Sequence, residues 1–553
     1  MSAPERQDMV FDLVKCMSKA EKRQFKLYAT RFAANSGAKF LALFDCLDSM
    51  ESYDEGRILR RCPVKKEQLP NMKAHLYRQI LVSIRLLDVQ RSPRLQLHEH
   101  LDFAQILYDK GLYRHAARLL EKGAEQARRL ELHSSCLEVL AMQADVEATS
   151  MPDDMAARSE SYTRRTARLC ANIGNIENLS DMVTRLCSLH QQLGYARSER
   201  DLTLIAAYFR PKLEAYARRI GSFTERYYFY QAMAWFHYIQ HNFALSYRYS
   251  RKWVELFEGN PWMKEWMYAD FLKGYDRILD GVFMMRKYKL LKSIVRRFEA
   301  EYPAISSFND NASMLARRIL LVARLNLCFI EGDFEGGLLP AADMEQFLLR
   351  YPAQLSLHTK MQIRYKLACI YFGAGDYVRC MQSLAWIIGT KDPMLRRDLQ
   401  CYARMLNLIA SYEAGVDYHI DSQIKSVFRF VVRMNDMHVV QREILAFLKK
   451  LSIAGPGGVR GELRHGGQLL HGADALLQGL DVGLGGLGVG GAVVHGVQPR
   501  LCGGLQLGTR PLHSDQLAGL VGQILADLVL TGEHTQAVLG VILEQGVAPG
   551  GTV

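Results

Sequence analysis

A turn recurs along this chain, and the helical stretches on either side of it leave few architectures open. Gly375-Asp376-Tyr377, Gly332-Asp333-Phe334, Arg286-Lys287-Tyr288, His241-Asn242-Phe243 and Gly111-Leu112-Tyr113 each end in an aromatic two residues after the turn position. Gly194-Tyr195, and Gly415 in YEAGVDY, are weaker versions. From Gly194 to Gly415 the steps between turn positions are 47, 45, 46, 43 and 40 residues, and the 83 residues between Gly111 and Gly194 leave room for one further turn. A near-constant period in this range marks a repeat protein, whose units stack to bury a continuous core.

Between the turns, apolar residues fall at spacings of 3 and 4, and prolines such as Pro70, Pro261, Pro303 and Pro352 lie between helices. No run of alternating β-branched residues suggests a parallel sheet with a nucleotide site. The segment LACIYFGAGDYVRCMQSLAWII, residues 367–388, resembles the tetratricopeptide consensus at the turn between its two helices. There the small Ala368 lets two helices approach, Tyr371 fills the gap one turn later, and Cys380 and Leu384 continue the inward face of the second helix. The resemblance implies an all-α fold, an α-α superhelix of degenerate tetratricopeptide-like hairpins. The tetratricopeptide unit has about 34 residues, so a period of 40–47 calls for longer helices. Armadillo and HEAT repeats share the period but do not explain the Gly-Asp-aromatic turn.

In such an array the first helix of each hairpin lines the concave wall. Aligning the turns puts Tyr108, Tyr238, Phe329 and Phe372 at one position, three residues before the turn, with Tyr228, Gln231, Trp235, Asn326 and Tyr365 nearby. These are the candidate binding residues. They read either as anchors for a bound peptide or as packing between helices.

The first 95 residues read as a helical cap that covers the apolar face of the first repeat. Ser18 and Glu21 have capping-box spacing ahead of a helix through Phe25 and Tyr28. A second helix follows over about 39–48 and a longer one over about 70–87, with Leu76, Ile80, Ile84 and Leu87 as its core stripe. KAEKRQFKLYATR, FLALFDCLDSM, YDEGRILRR and LPNMKAHLYRQILVSIRLL, together with FRFVVR and EILAFLKKL near residue 451, resemble uncharacterised tetratricopeptide-like proteins of Bacteroidota bacteria. That resemblance covers residues 1–452 and implies a cytoplasmic bacterial protein. It brings no reaction with it, and no catalytic residue.

Composition narrows the function classes. The 11 cysteines are scattered, without C-x-x-C pairs or Cys/His grouping at zinc spacing. No window is apolar and long enough for a membrane span, and the start lacks the pattern of a signal peptide. Neither a nucleophile elbow nor a P-loop appears, so the chain reads as non-enzymatic, with no cofactor, metal or small-molecule substrate. Residues 1–452 carry 66 bases against 51 acids, an excess of 15 that favours an acidic protein or peptide partner. Two nucleic-acid readings stand beside it: a helix-turn-helix around Arg57, Arg60, Arg61, Lys65 and Lys66, and RNA binding through the basic aromatic segments RYYFY (226–230) and SYRYSRKW (246–253).

The composition changes abruptly near residue 452. Residues 453–553 hold 25 of the 42 glycines and no Lys, Asn, Phe, Tyr, Trp or Met. Most of the missing types use AT-rich codons, so this stretch reads as the product of a frameshift in GC-rich DNA or as a disordered low-complexity tail. GLGGLGVGG (483–491) lacks the G-K-[ST] and the strand-helix frame of a phosphate loop. These readings divide the chain into a cap over 1–95, a repeat array over 96–452 and a tail over 453–553.

Overall fold

The computed structural model describes residues 8–433, except 31–35, 63, 91, 151–153, 194, 197–198, 306–308, 391–395 and 416–419. The Gly-rich tail and the turn at Gly194 therefore lie outside the described residues. Those described form 21 α-helices and no strand, so the chain is all-α. They divide into two compact units, residues 1–176 and 177–553.

The first unit opens with α1 (Met9–Cys16), α2 (Lys19–Thr30), α3 (Ser36–Ser49), α4 (Glu55–Arg61) and α5 (Leu69–Asp88). Their shared core includes Val14, Phe25, Phe44, Leu47, Leu76 and Ile80. The expected capping box is present: the Ser18 amide donates to the Glu21 carboxylate at 2.6 Å, and the Glu21 amide to Ser18 Oγ at 3.3 Å. Lys73 on α5 pairs with Asp8 and Tyr53, which ties the start of α1 to the bundle. Two further hairpin helices, α6 (Pro93–Asp109) and α7 (Tyr113–Arg129), pack with α8 (His133–Ser150) around a separate core at Leu97, Leu120 and Val139.

Whether the further turn allowed between Gly111 and Gly194 lies between α8 and α9 (Met155–Leu193) falls outside the described residues, since 151–153 are not among them. What the period did not anticipate is α9 itself. It runs 39 residues without a break, and the division between the two units falls within it. Gly174 is the only strong breaker near its middle, and one interior glycine costs a helix only about 1 kcal/mol.

The second unit continues with α10 (Glu199–Ala217) and then alternates first and second helices of hairpins. These are α11 (Phe223–Ile239) with α12 (Phe243–Glu258), the short connector α13 (Pro261–Trp266), α14 (Tyr268–Met284) with α15 (Tyr288–Ile305), and α16 (Asp310–Glu331) with α17 (Leu338–Arg350). Then come α18 (Leu357–Gly373) with α19 (Tyr377–Ile388) and α20 (Arg397–Glu413) with α21 (Ile420–Arg433). From α11 onward the first helices hold 17 to 22 residues, the extra length that the period called for.

The hairpin turns share a left-handed residue, and four of them share one closure. The turn residue takes a left-handed backbone, with φ of 73° at Gly111, 59° at His241, 53° at Arg286, 68° at Gly332, 77° at Gly375 and 68° at Gly415. Around Gly375 its own amide bonds to Phe372 O at 3.1 Å and the Asp376 amide to Tyr371 O at 2.8 Å, a Schellman closure that satisfies carbonyls left open at a helix end. The same pair of bonds recurs at Gly111, His241 and Arg286. The next residue then starts the second helix: Asn242 accepts from the Leu245 amide, and Asp376 from the Arg379 amide. The following aromatic folds back onto the aromatic three residues before the turn, with ring centroids 5.5 Å apart for Tyr108–Tyr113, 5.6 Å for Tyr238–Phe243, 6.2 Å for Phe329–Phe334 and 5.5 Å for Phe372–Tyr377. Ala368, Tyr371, Cys380 and Leu384 are all buried, as the segment's pattern implied.

Candidate functional site

The first helices of the second unit bring a set of polar side chains together. Helical spacing selects them: Gln231, Trp235 and Tyr238 form one stripe of α11, Asp276 and Asp280 lie one turn apart on α14, and Arg318 and Asn326 share a face of α16, as do His358 and Lys366 on α18. Around this stripe the helices are apolar, and the large aliphatic core of the unit holds the backbones in register.

Contacts link these residues into a network. Tyr195 donates to the Tyr238 hydroxyl at 2.9 Å, and Tyr238 donates to Asp280 at 2.9 Å. Asp280 also pairs with Arg277 at 2.9 Å, and the Arg277 guanidinium lies 4.6 Å from the Trp235 ring centroid and 5.0 Å from that of Tyr238. Arg318 reaches back to Asp276 at 2.7 Å. Lys366 donates to Asn326 Oδ1 at 2.8 Å and lies over the rings of Phe283 and Phe329. His190, near the end of α9, sits against Tyr195, Trp235 and Tyr238, and its ring is 6.2 Å from that of His358 on α18.

Electrostatics follow from this enclosure. Burial pushes the Tyr238 and Tyr195 phenols well above the ordinary value and the Asp280 charge adds to it, so both hydroxyls stay protonated donors at neutral pH. Burial would raise the Asp276 carboxyl, but Arg318 and Arg277 outweigh it and hold the group below the usual range. Burial also opposes the charge on Arg277; Asp280 and neighbouring groups more than offset that. Lys366 goes the other way: burial lowers it, Arg396 pushes in the same direction, and the attraction of Asp280 and Asp276 does not make up the difference.

The nine residues singled out from sequence divide into groups. Trp235, Tyr238, Gln231 and Asn326 belong to the network or its stripe. Phe329 contributes its ring to Lys366. Tyr228 is half-buried among the aromatics of α11 and α12. Tyr365 and Phe372 are each 2% exposed, interior to their hairpins, so neither ring offers a face to a peptide. Tyr108 belongs to the first unit, where its hydroxyl lies 3.3 Å from Thr149 Oγ1. What sequence reasoning passed over are the charges: Asp276, Arg277, Asp280, Arg318 and Lys366 look like ordinary solvent-facing residues when read singly. No recurring position marks the cations in sequence: Arg277 and Lys366 lie nine residues before their turn residues and Arg318 fourteen, and α14, α16 and α18 each carry further cations.

Several other readings can be placed. In RYYFY and SYRYSRKW the aromatics largely pack on protein: Tyr227 meets Trp253 and Phe257, Tyr249 stacks on His237, and Lys252 covers Tyr230 and Tyr249. In the first unit, α5 buries Leu76 and Ile80 in the bundle. No group of three or more His, Cys, Asp or Glu side chains able to hold a metal occurs among the described residues, and none of the helices described is long and apolar enough to cross a membrane. Set against known proteins, the chain matches no family model, no curated protein and no solved structure.

Proposed function

We propose that this chain is a non-enzymatic interaction scaffold, related in design to tetratricopeptide arrays, that holds an acidic peptide or protein segment on the first-helix face of its second unit. The observation that carries the reading is the ladder of Arg277, Arg318 and Lys366, one cation from each of three successive hairpins. A repeat protein recognises an extended partner by presenting the same kind of group once per unit along a curved surface. Rigid aromatic neighbours such as Trp235 hold the cations in place, so little side-chain entropy is lost on binding. The excess of basic residues over acids along the first 452 residues speeds encounter with an acidic partner.

Selection of a random peptide library on the intact chain tests this. The expected outcome is a set of Asp/Glu-rich peptides that compete with one another and bind less tightly as salt rises. They should lose most of their affinity when Asp276→Asn and Arg318→Gln are combined, a double change that removes a buried charge pair together rather than leaving one charge stranded. Peptides without acidic enrichment, or binding indifferent to the double change, would refute the reading. Salt-sensitive capture of nucleic acid with no peptide selected would refute it as well.

A further inference from the structure

We propose that the outer face of α17 and α19 in the second unit is a self-association surface, on which a second copy of this chain docks with its α17 antiparallel to the first. Leu339 and Leu349 carry the inference. They are 76% and 79% exposed, the two most exposed large apolar side chains among the described residues, and both belong to one 13-residue helix. Ala341, Met344, Phe347 and Leu348 supply the buried face of α17, so neither leucine is needed to hold the helix in place. The exposed residues between the two are Ala342 and Gln346. Leu339, Ala342, Gln346 and Leu349 follow the i, i+3, i+7, i+10 spacing of the seam of a helix pair, and at 3.6 residues per turn they fall within an arc of about 80°.

Second helices elsewhere in the unit are different. α12 exposes Arg248, Arg251, Glu255 and Glu258, and α15 exposes Lys289, Arg296 and Arg297, as an outer face in water does. The α17 stripe holds no charge. On α19, Val378, Gln382 and Ala385 are exposed at i, i+4 and i+7 and are likewise uncharged. The two helices flank one side chain of α18: Glu345 of α17 lies beside the Tyr371 hydroxyl, and Arg379 of α19 stands 5.7 Å from the centre of the same ring. Depletion of charge from the centre of a patch is the compositional mark of a protein interface.

The stripe is complementary to itself, which singles out a second copy as its occupant. About a two-fold axis through position 344, 339 faces 349 and 342 faces 346. Leu339 of each copy then packs on Leu349 of the other, and the small Ala342 makes room for Gln346, the reciprocity that an isologous contact requires. Charge agrees at the ends. Arg350 of one copy falls opposite position 338 of the other, within one turn of Glu335, and both Arg350 and Glu335 are exposed. Symmetry makes that opposite-charge pair twice, while Asp343 and Glu345 stay half-buried on the flanks. One short helix covers less than the ~800 Å² per partner of a stable interface, so even with the α19 face the expected dissociation constant is on the order of 10 µM.

Sedimentation velocity of the intact chain from about 1 to 200 µM tests this by mass action, with reductant present so that the exposed Cys16 and Cys170 form no cross-link. The expected result is a monomer–dimer equilibrium that Leu339→Glu or Leu349→Lys alone weakens about tenfold or more, with far-ultraviolet circular dichroism unchanged because both side chains point outward. Mixing the two variants should restore a dimer, since the antiparallel register sets the new Glu against the new Lys. A chain still monomeric at about 100 µM, ten times the expected constant, overturns the proposal. A dimer left intact by both variants overturns it too, because the contact then lies elsewhere. Failure of the mixture to pair, or rescue by Leu339→Glu with Leu339→Lys instead, removes the antiparallel register on which the choice of a second copy rests. A monomer that binds a different protein through this face also overturns it. The surface lies on second helices, not first, so none of these results bears on the peptide reading.

Discussion

Gly373 closes α18, and a Cβ built there would lie 2.3, 2.4 and 2.7 Å from carbons of the Phe334 ring. Carbon atoms settle at about 3.5–4.0 Å, so in Gly373→Ala either the ring or the helix must withdraw by roughly 1 Å. Phe334 has little room to do so: it is 8% exposed and is packed against Phe329. Intrinsic helix propensity favours alanine by about 1 kcal/mol at most. Overpacking costs about 1–3 kcal/mol, and expelling the phenylalanine would forfeit a similar amount of buried area. The net expectation is a loss of about 2 kcal/mol, read from urea unfolding of the intact chain followed by far-ultraviolet circular dichroism. Phe334→Ala alone should cost about 3–5 kcal/mol. In that background the alanine at 373 should cost nothing or even stabilise, giving a coupling of about 2–3 kcal/mol between the two sites. If Gly373→Ala is neutral by itself, or carries the same penalty with Phe334 removed, the close approach between these hairpins is not what the glycine is for.

Two shorter expectations concern the network and its surroundings. Tyr238→Phe removes the hydroxyl that joins Tyr195 to Asp280 and should cost about 1–3 kcal/mol in the same unfolding assay; a change within about 0.3 kcal/mol would mean that the bridge contributes nothing. Burial, with the Arg210 charge, lowers the His237 imidazole to about 4, below its value of 6.5 when exposed, so the unfolded chain binds the extra proton first as pH falls. Stability should therefore drop between pH 6.5 and 4, by about 2 kcal/mol after allowing for the water that reaches the ring, and His237→Gln should flatten that part of the pH profile.

The turns were legible because their chemistry is local. A glycine before an Asp and an aromatic specifies a left-handed residue, a cap and a ring that folds back, all within a few residues, and His241 and Arg286 could be recognised from their neighbours alone. The partition of the aromatics was less legible. Phe329 and Phe372 occupy the position that closes the hairpin, where the ring after the turn packs on them, so the feature that made them stand out is the one that buries them. The charged network was the least legible, since Asp276 with Arg318 and Tyr195 with Tyr238 are each about one repeat apart. Their meeting depends on how successive hairpins stack, which spacing within a single helix does not report. Continuity of α9 was missed for a related reason: the period predicts where a unit should turn, while only the weakness of Gly174 as a breaker decides whether it does.

The shared turn residue also bears on how such a chain can change length over evolutionary time. Because Asn242 and Asp376 each close one helix and begin the next, a residue added or deleted there uncaps both at once. The connections from a second helix to the following first helix carry no such double duty, and α13 sits in one of them as a six-residue helical insert. Where this closure is present, at Gly111, His241, Arg286 and Gly375, length drift is channelled to the other connections, while the α16–α17 hairpin, whose second helix starts only at Leu338, takes up extra residues in its turn.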